Sequence, residues 1–217
     1  MLSLFLLTAA LVLSTVYYSV SFSAQDRLEE SAKNYLTRLV GSLDAVLARH
    51  SYLPVLLAEE PVIQDFLQKK PTALSTEALN MYLERINKIA GTLDIYLMLA
   101  NGDTVAASNW AKEQSFIGKN FAFRPYFQQA IQGQLGRYYA VGTTSNERGY
   151  YFAYPISDEE DRSLGVITVK VNVAEIEALW QSAPIKFLVT DSEGIIFLAS
   201  DSEWLFKTIK PLPELRR

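Results

Sequence analysis

The first 25 residues of the chain are largely apolar and carry no charge. The first charged side chain is Asp26, and the run Leu2–Val20 is rich in Leu, Val, Phe and Ala. A helix of roughly 20 such residues is long enough to cross the hydrocarbon of a bilayer. The pattern therefore predicts a membrane anchor over residues 1–23. The alternative is a cleaved signal peptide with Ser21–Ala24 as its small-residue cleavage region.

Apolar residues continue at spacings of three and four after the uncharged run, which indicates an amphipathic helix. They are Leu28, Ala32, Tyr35, Leu36, Leu39, Val40, Leu43, Val46 and Leu47. This stalk helix is predicted to reach about Arg49. Shorter helices are predicted after it, one opening at Pro61 and one capped by Ser75 or Thr76 and ended by Gly91. Residues 24–91 are thus predicted to be helical.

The period changes from helical to extended at Leu93. Strands are predicted at Leu93–Ala100, Thr104–Ser108, Gly136–Thr143, Gly149–Ile156 and Leu164–Val173. Asn101-Gly102 is a strong hairpin signal between the first two. Short helices are predicted at Pro125–Gly133 and Ala174–Gln181. Two strands, a helical connection and a three-stranded meander are the order of a PAS-like α+β domain, here over residues 92–181.

A second hairpin pattern follows this domain. Lys186–Thr190 and Ile195–Ala199 flank the turn Asp191-Ser-Glu-Gly194. It predicts a second, partial PAS-like domain over residues 182–217, nearer the membrane than the first. The predicted fold class is therefore α+β, with an N-terminal transmembrane and stalk helix followed by tandem PAS-like domains with antiparallel sheets.

The composition excludes some classes of function but does not identify the function. Of the 217 residues, 49% are hydrophobic and 20% are charged, which is typical of a globular protein. The net charge of −4, with no basic tract, argues against a nucleic-acid partner. The absence of cysteine excludes disulfides and thiolate metal sites.

The residues needed for catalysis do not assemble in the sequence. The one histidine, His50, falls at the end of the stalk helix and is interpreted as a surface residue. No phosphate loop, nucleophile elbow or histidine cluster is present. Asp191, Glu193 and Asp201 are interpreted as hairpin-turn residues rather than a cation site. We therefore expect a chain without enzymatic activity, cofactor or metal.

Two cationic side chains, Arg124 and Lys170, could bind an anion. Arg124 precedes Pro125 at a helix N-terminus, where a guanidinium and backbone amides can hold a carboxylate. Lys170 stands in mid-strand on one face with Val166, Thr168 and Asn172. If that face is covered the lysine is unusual, and if it is open the lysine is an ordinary solvated side chain. For Arg124, the alternative to binding an anion is an ion pair with an acidic side chain at the surface.

Between the two cations lies a segment rich in hydroxyl groups. It is Tyr138-Tyr-Ala-Val-Gly-Thr-Thr-Ser-Asn-Glu-Arg-Gly-Tyr-Tyr151. Its tyrosines, Tyr151 among them, can supply flat walls with polar tips. Thr143, Thr144 and Ser145 are either turn residues or donors that line a small anion pocket.

An ordered series of motifs resembles the double-Cache (tandem PAS-like) sensor domains, and among them the dicarboxylate sensor histidine kinases of the DctB type. The motifs are Arg124-Pro-Tyr-Phe127, Arg137-Tyr-Tyr-Ala-Val-Gly-Thr-Thr-Ser145, Arg148-Gly-Tyr-Tyr-Phe-Ala-Tyr-Pro155, Leu188-Val-Thr-Asp191, Gly194-Ile-Ile-Phe-Leu198 and Asp201-Ser-Glu-Trp204. The resemblance covers nearly the whole soluble part and is strongest from Asn109 to Trp204.

The resemblance implies that succinate, fumarate or malate binds in the membrane-distal domain. Arg124 would hold one carboxylate with help from Tyr126, and Lys170 would hold the other. Relatives that bind amino acids carry an Asp near the position of Lys170, so the lysine favours a diacid. The implied ligand-binding residues are Arg124, Tyr126, Thr143, Thr144, Ser145, Lys170 and Tyr151, with Asn109 and Trp110 at the pocket wall.

The resemblance also implies the setting of the chain. We expect the periplasmic sensor region of a bacterial inner-membrane kinase, dimeric through its N-terminal helix, that controls dicarboxylate uptake. The parent would act on a cytoplasmic response regulator, with a transporter as a further partner. ATP and Mg²⁺ would serve only a kinase part outside this sequence. The alternatives are a chemoreceptor or cyclase sensor of another carboxylate or amino acid, a released hydrolase or binding protein, and a domain without a ligand.

Overall fold

The computed structural model describes residues 2–211 except 72, 161, 174–177, 179, 181–185 and 192, and the side chains of residues 2–10, 12 and 23–25 are outside the description. The helices are α1 (Leu2–Ser51), α2 (Leu53–Ala58), α3 (Pro61–Leu67), α4 (Thr76–Ala90) and α5 (Pro125–Ala130). The strands are β1 (Asp94–Leu99), β2 (Thr104–Ala107), β3 (Gly136–Val141), β4 (Arg148–Ser157), β5 (Ser163–Val171), β6 (Leu188–Thr190) and β7 (Ile196–Ala199). A short 3₁₀ helix covers Ser202–Trp204.

The predicted stalk is a single helix. α1 has 50 residues, which corresponds to a length of about 75 Å. The sequence predicts a membrane span over residues 1–23, but in the part of the chain that the structure describes no helix is both long and apolar enough to cross a membrane. Two compact units divide the chain, Met1–Val46 and Leu47–Arg217.

The second unit contains a five-stranded antiparallel sheet with the strand order β2-β1-β5-β4-β3. Gly102 has φ of +88°, as the hairpin turn between β1 and β2 requires. The sequence prediction of an α+β fold with a long N-terminal helix and an antiparallel sheet is therefore confirmed. β5, the last of these five strands in chain order, lies at the centre of the sheet, so both its faces can be covered.

Alternating side chains of the central strands form two separate cores, one on each face of the sheet. The first core lies under the helices and contains Leu57, Ala58, Ile63, Leu79, Leu83, Ile95, Leu97, Ala106, Phe152, Ile156, Ile167, Val169 and Val171. The second is more aromatic and contains Tyr96, Met98, Ala107, Phe116, Phe121, Tyr126, Phe127, Ala130, Ala140, Tyr151, Ala153 and Val166. The irregular segment between β2 and α5 contributes to this second core, although it has no periodicity from which burial could be predicted.

The boundaries of α4 follow the predicted signals. The Ser75 hydroxyl accepts a hydrogen bond from Ala78 N at 3.2 Å, and Gly91 ends the helix with φ of +64°. By contrast, the sequence did not reveal α2, a six-residue helix with a proline in its first turn that buries Leu57 and Ala58. A helix this short has too few turns to show a period.

The other predicted elements differ in detail. The second hairpin is present as the β6–β7 ribbon. The partial second PAS-like domain predicted over residues 182–217 is not tested by this hairpin and stays a prediction. The helix predicted at Ala174–Gln181 lies mostly outside the described residues.

Asn80 of α4 hydrogen-bonds to the edge strand β2, and its replacement tests the packing of α4 on the sheet. Its buried side-chain oxygen accepts a hydrogen bond from Ala107 N at 2.9 Å. Asn80→Ala leaves that N–H buried without a partner, so we expect the free energy of unfolding to fall by about 1–3 kcal/mol in urea denaturation. Met81→Ala on the same helix is the control, because Met81 is exposed. An equal loss in both variants would contradict the assignment.

Candidate ligand-binding site

Arg124 lies immediately before α5, as its place before Pro125 predicts. Its backbone is extended, with φ of −75° and ψ of 134°. Its Nη2 donates to Val141 O at 3.1 Å and to Thr143 Oγ1 at 3.3 Å. The half-buried guanidinium is therefore directed at the turn after β3, and among the described residues its hydrogen bonds go to neutral oxygens rather than to a surface acid.

Lys170 is the most unusual residue of the sheet, because its side chain is 0% exposed. Its neighbours across the strands are Asp94 on β1 and Tyr151 on β4. Its Nζ donates to Ser145 Oγ at 2.8 Å and lies 3.7 Å from a carboxylate oxygen of Glu147. The face is thus covered, and Lys170 is not an ordinary solvated side chain.

Gly149 makes room for the stem of this lysine. A Cβ at position 149 would lie 2.8 Å from both Cγ and Cε of Lys170. Burial lowers the pKa of Lys170, while the negative charges of Asp94 and Glu147 act against that shift. The sequence therefore places a cation where water cannot solvate it.

Three tyrosines form the wall beside the two cations. The rings of Tyr126 and Tyr151 are stacked, with centroids 5.0 Å apart and an interplanar angle of 5°. The hydroxyl groups of Tyr96 and Tyr126 are hydrogen-bonded at 2.7 Å. Burial raises the pKa of Tyr126 to about 12 and also raises the pKa of Tyr96 and Tyr151. All three hydroxyls stay protonated at neutral pH.

A small cavity of about 10 Å³ lies between these groups. It is lined by Tyr96, Phe116, Phe121, Arg124, Tyr126, Gly142, Thr143, Thr144 and Tyr151. This volume accommodates about one water molecule. A separate cleft of about 490 Å³ shares Phe121, Thr143 and Thr144 with it. Thr143 and Thr144 of the turn after β3 therefore line both the larger outer cleft and the small inner cavity.

Similarity to known proteins was found in sequence and in structure, although no family model matches the chain. The chain is 38% identical over 216 residues to the C4-dicarboxylate transport sensor protein DctB of Pseudomonas aeruginosa and 35% identical over 218 residues to that of Rhizobium meliloti. These alignments cover 98% and 99% of this chain but only 35% and 34% of the relatives. The chain thus spans about a third of their length.

A solved structure decides the family. The sensor domain of the V. cholerae histidine kinase DctB superposes with a TM-score of 0.82 and 36% identity, over 88% of this chain and 74% of that one. The chain belongs to the DctB sensor-domain family. The sequence prediction of that family is confirmed.

Most residues expected to bind ligand in a DctB-type sensor come together. Arg124, Tyr126, Thr143, Thr144 and Tyr151 line the small cavity. Ser145 and Lys170 adjoin it through their mutual hydrogen bond and the contact of Lys170 with Tyr151, whose ring centroid lies 6.0 Å from Nζ. Their role in binding stays a prediction.

The amide group of Asn109, expected at the pocket wall, is used elsewhere. Its nitrogen donates to Gln114 O and its oxygen accepts from Phe116 N, so both ends hold the loop that carries Phe116. The indole of Trp110 donates to Glu84. Asn109 therefore shapes the cavity through Phe116, which lines it.

Sequence reasoning missed the acidic neighbours of Lys170 and the role of Gly149. Asp94 opens an otherwise apolar strand and is 3% exposed. That single charge in an apolar run was the available signal. The hairpin acids behave as expected: Asp191 accepts from two backbone amides, and Asp201 pairs with Lys186.

Replacing Gly149 tests whether the DctB-type site needs space for Lys170. Gly149→Ala forces the buried stem to move, and such overpacking costs about 1–3 kcal/mol. We expect a lower melting temperature and weaker binding of any anion held by Lys170. Gly41→Ala is the control, because no atom lies within 4 Å of a Cβ at that helical position, and a small gain in stability is expected. A Gly149→Ala variant with the parent melting temperature would contradict the packing described.

Proposed function

We propose that the chain is the extracytoplasmic sensor region of a two-component histidine kinase and binds a four-carbon dicarboxylate such as succinate, fumarate or malate between Arg124 and Lys170. The observation that carries the proposal is the buried ammonium group of Lys170, whose hydrogen-bond partner is the neutral hydroxyl of Ser145. Asp94 and the largely exposed Glu147 offset part of this buried charge, and an anionic ligand would add a direct charge-assisted hydrogen bond to the ammonium group.

The second cation explains why the ligand should carry two acidic groups. The donors of Arg124 are directed at Val141 O and Thr143 Oγ1, beside the same turn that holds Ser145. Each cation can form charge-assisted hydrogen bonds with one carboxylate, and Arg124 can do so with two parallel bonds. An amino acid would bring its ammonium group towards a lysine, which costs binding energy. The pair of cations therefore favours a diacid.

Binding requires the turn after β3 to move. A diacid is many times larger than the single water that about 10 Å³ can hold. Thr143 and Ser145 would exchange their bonds to the two cations for bonds to the ligand. The closed arrangement then competes with the ligand, and the apparent affinity is reduced by the fraction of molecules in the open state.

Calorimetry with succinate tests this function on the full chain. We expect Arg124→Ala and Lys170→Met each to weaken binding by about tenfold to hundredfold, because each removes a charge-assisted bond. Butyrate, which has one carboxylate, should bind the parent chain about as weakly as succinate binds Lys170→Met. Arg162→Ala is the control, since Arg162 pairs with Asp158 in the β4–β5 turn.

Three results would count against the proposal. Unchanged succinate affinity in both Arg124→Ala and Lys170→Met would show that succinate does not bind between these two residues. Tighter binding of aspartate than of succinate would favour the amino-acid sensor. Failure of a panel of diacids and amino acids to raise the melting temperature would favour a domain without a small-molecule ligand.

The wider setting belongs to the same proposal. The relatives named above support a periplasmic position beside the inner membrane, a response regulator and a transporter partner. The uncharged run Met1–Gln25 supports an anchor over residues 1–23. The catalytic step would lie in the part of the parent outside this chain, where ATP and Mg²⁺ would bind. The β6–β7 hairpin would open a second PAS-like domain.

Dimerisation through α1 is proposed because Leu28, Leu36 and Val40 are exposed on one side of it. In sedimentation equilibrium of the full chain in detergent, Leu36→Glu should raise the dimer dissociation constant by at least about tenfold. Thr37→Glu adds the same charge at an adjacent, exposed position and should leave the constant unchanged. A dimer equally stable in both variants would exclude this surface.

A further inference from the structure

Asp94 is an acid that the proposed ligand contacts do not use. It is the first residue of β1 and is directly opposite Lys170 in the β1–β5 register. Its side chain is buried, and within the described residues its Oδ1 has no hydrogen bond. That oxygen lies 3.7 Å from Nζ of Lys112, whose side chain is 70% exposed. The buried carboxylate thus lies near one exposed lysine, Lys112, and on the strand position opposite the buried Lys170.

The groups that face Lys170 come from every element packed around it. Asp94 approaches from β1, Tyr151 from β4, Glu147 from the β3–β4 turn and Lys112 from the β2–α5 loop. Of the two acids, Glu147 is 62% exposed, so water screens its charge. Asp94 is shielded from water, and a charge there acts on Lys170 with much less screening.

We infer that Asp94 is a positioning residue that keeps Lys170 in its cationic form and thereby sets the pH range over which the site binds a diacid. This inference rests on the proposed dicarboxylate function. Asp94 does not touch the ligand in this account, and it acts only through Lys170. The same negative charge also repels the incoming diacid, so Asp94 has two opposing effects on affinity.

These opposing effects give a distinctive pH dependence. Burial lowers the pKa of Lys170, and Asp94 is the first of the charges that raise it again. Asp94→Asn lowers the Lys170 pKa further, so the variant loses its cation at a lower pH than the parent. Below that pH the variant binds succinate more tightly than the parent, because the repulsion is gone. Above it, affinity falls about tenfold per pH unit.

A merely structural role for Asp94 gives a different result. A variant that only loosens the fold binds more weakly at every pH, without a crossing of the two affinity curves. The crossing therefore separates control of the lysine charge from loss of packing.

The experiment combines two measurements on the full chain from about pH 6 to about pH 9.5. Nuclear magnetic resonance of chains labelled at lysine Cε gives the Lys170 pKa without ligand, with the signal assigned by its loss in Lys170→Met. Calorimetry gives the succinate affinity at each pH. Asp94→Asn should lower the Lys170 pKa by at least about one unit, and the affinity curves of variant and parent should cross.

Two matched variants are measured beside Asp94→Asn. Glu147→Gln removes the exposed acid and should lower the Lys170 pKa less than Asp94→Asn does. Lys112→Met removes an exposed cation that acts against Lys170 protonation, so it should raise the Lys170 pKa. A Lys170 pKa that is unchanged in Asp94→Asn, or that falls in Lys112→Met, would overturn the inference.

Failure of the inference is distinguishable from failure of the proposed function. The resonance titration contains no ligand, so it reports the coupling of Asp94 to Lys170 alone. If the parent chain binds no diacid, calorimetry rejects the function whatever the titration gives. If the parent binds succinate and the two affinity curves fall in parallel, the function stands and the role of Asp94 is rejected.

Discussion

The burial of one ammonium group on a sheet face is the constraint on which this site depends. Lys170 is 0% exposed on the central strand β5. Its stem occupies the space left by Gly149, and its Nζ bonds to Ser145. A buried charge destabilises a fold unless it is paired and hydrogen-bonded. Lys170 is the one charged residue of β5, and Ser145, Glu147 and Asp94 offset the cost of burying it. The proposed diacid would add a direct partner for this charge.

The same strand connects the site to the helices. On one face β5 carries Lys170, and on the other face Val169 and Val171 pack in the core that also contacts Leu47 near the end of α1. Packed cores transmit displacements because they have few voids. A ligand that replaced the Lys170–Ser145 bond would therefore act on a strand whose other face lies in the same core as Leu47. Its effect on any signalling equilibrium is limited by its difference in affinity for the two states.

Sequence patterns predicted the strands and the longer helices, but not the environment of the site. The strand period placed Lys170 on a known face, yet it gave no information about what covers that face, because the covering segment between β2 and α5 is irregular. Asn109 was expected at the pocket wall from the resemblance to the sensor family, and its amide group holds that loop. Asp94 was overlooked because its importance comes from a partner that is distant in sequence and paired only through strand register.

The most direct test of a diacid site built around Lys170 is a crystal structure of the chain grown with succinate. The account expects one carboxylate of the ligand within hydrogen-bond distance of Lys170 Nζ and the other at the Arg124 guanidinium. Ser145 and Thr143 should then have left the positions in which they bond to these cations. A structure in which the Lys170–Ser145 bond persists while succinate occupies the outer cleft, or binds nowhere on this face, would contradict the account.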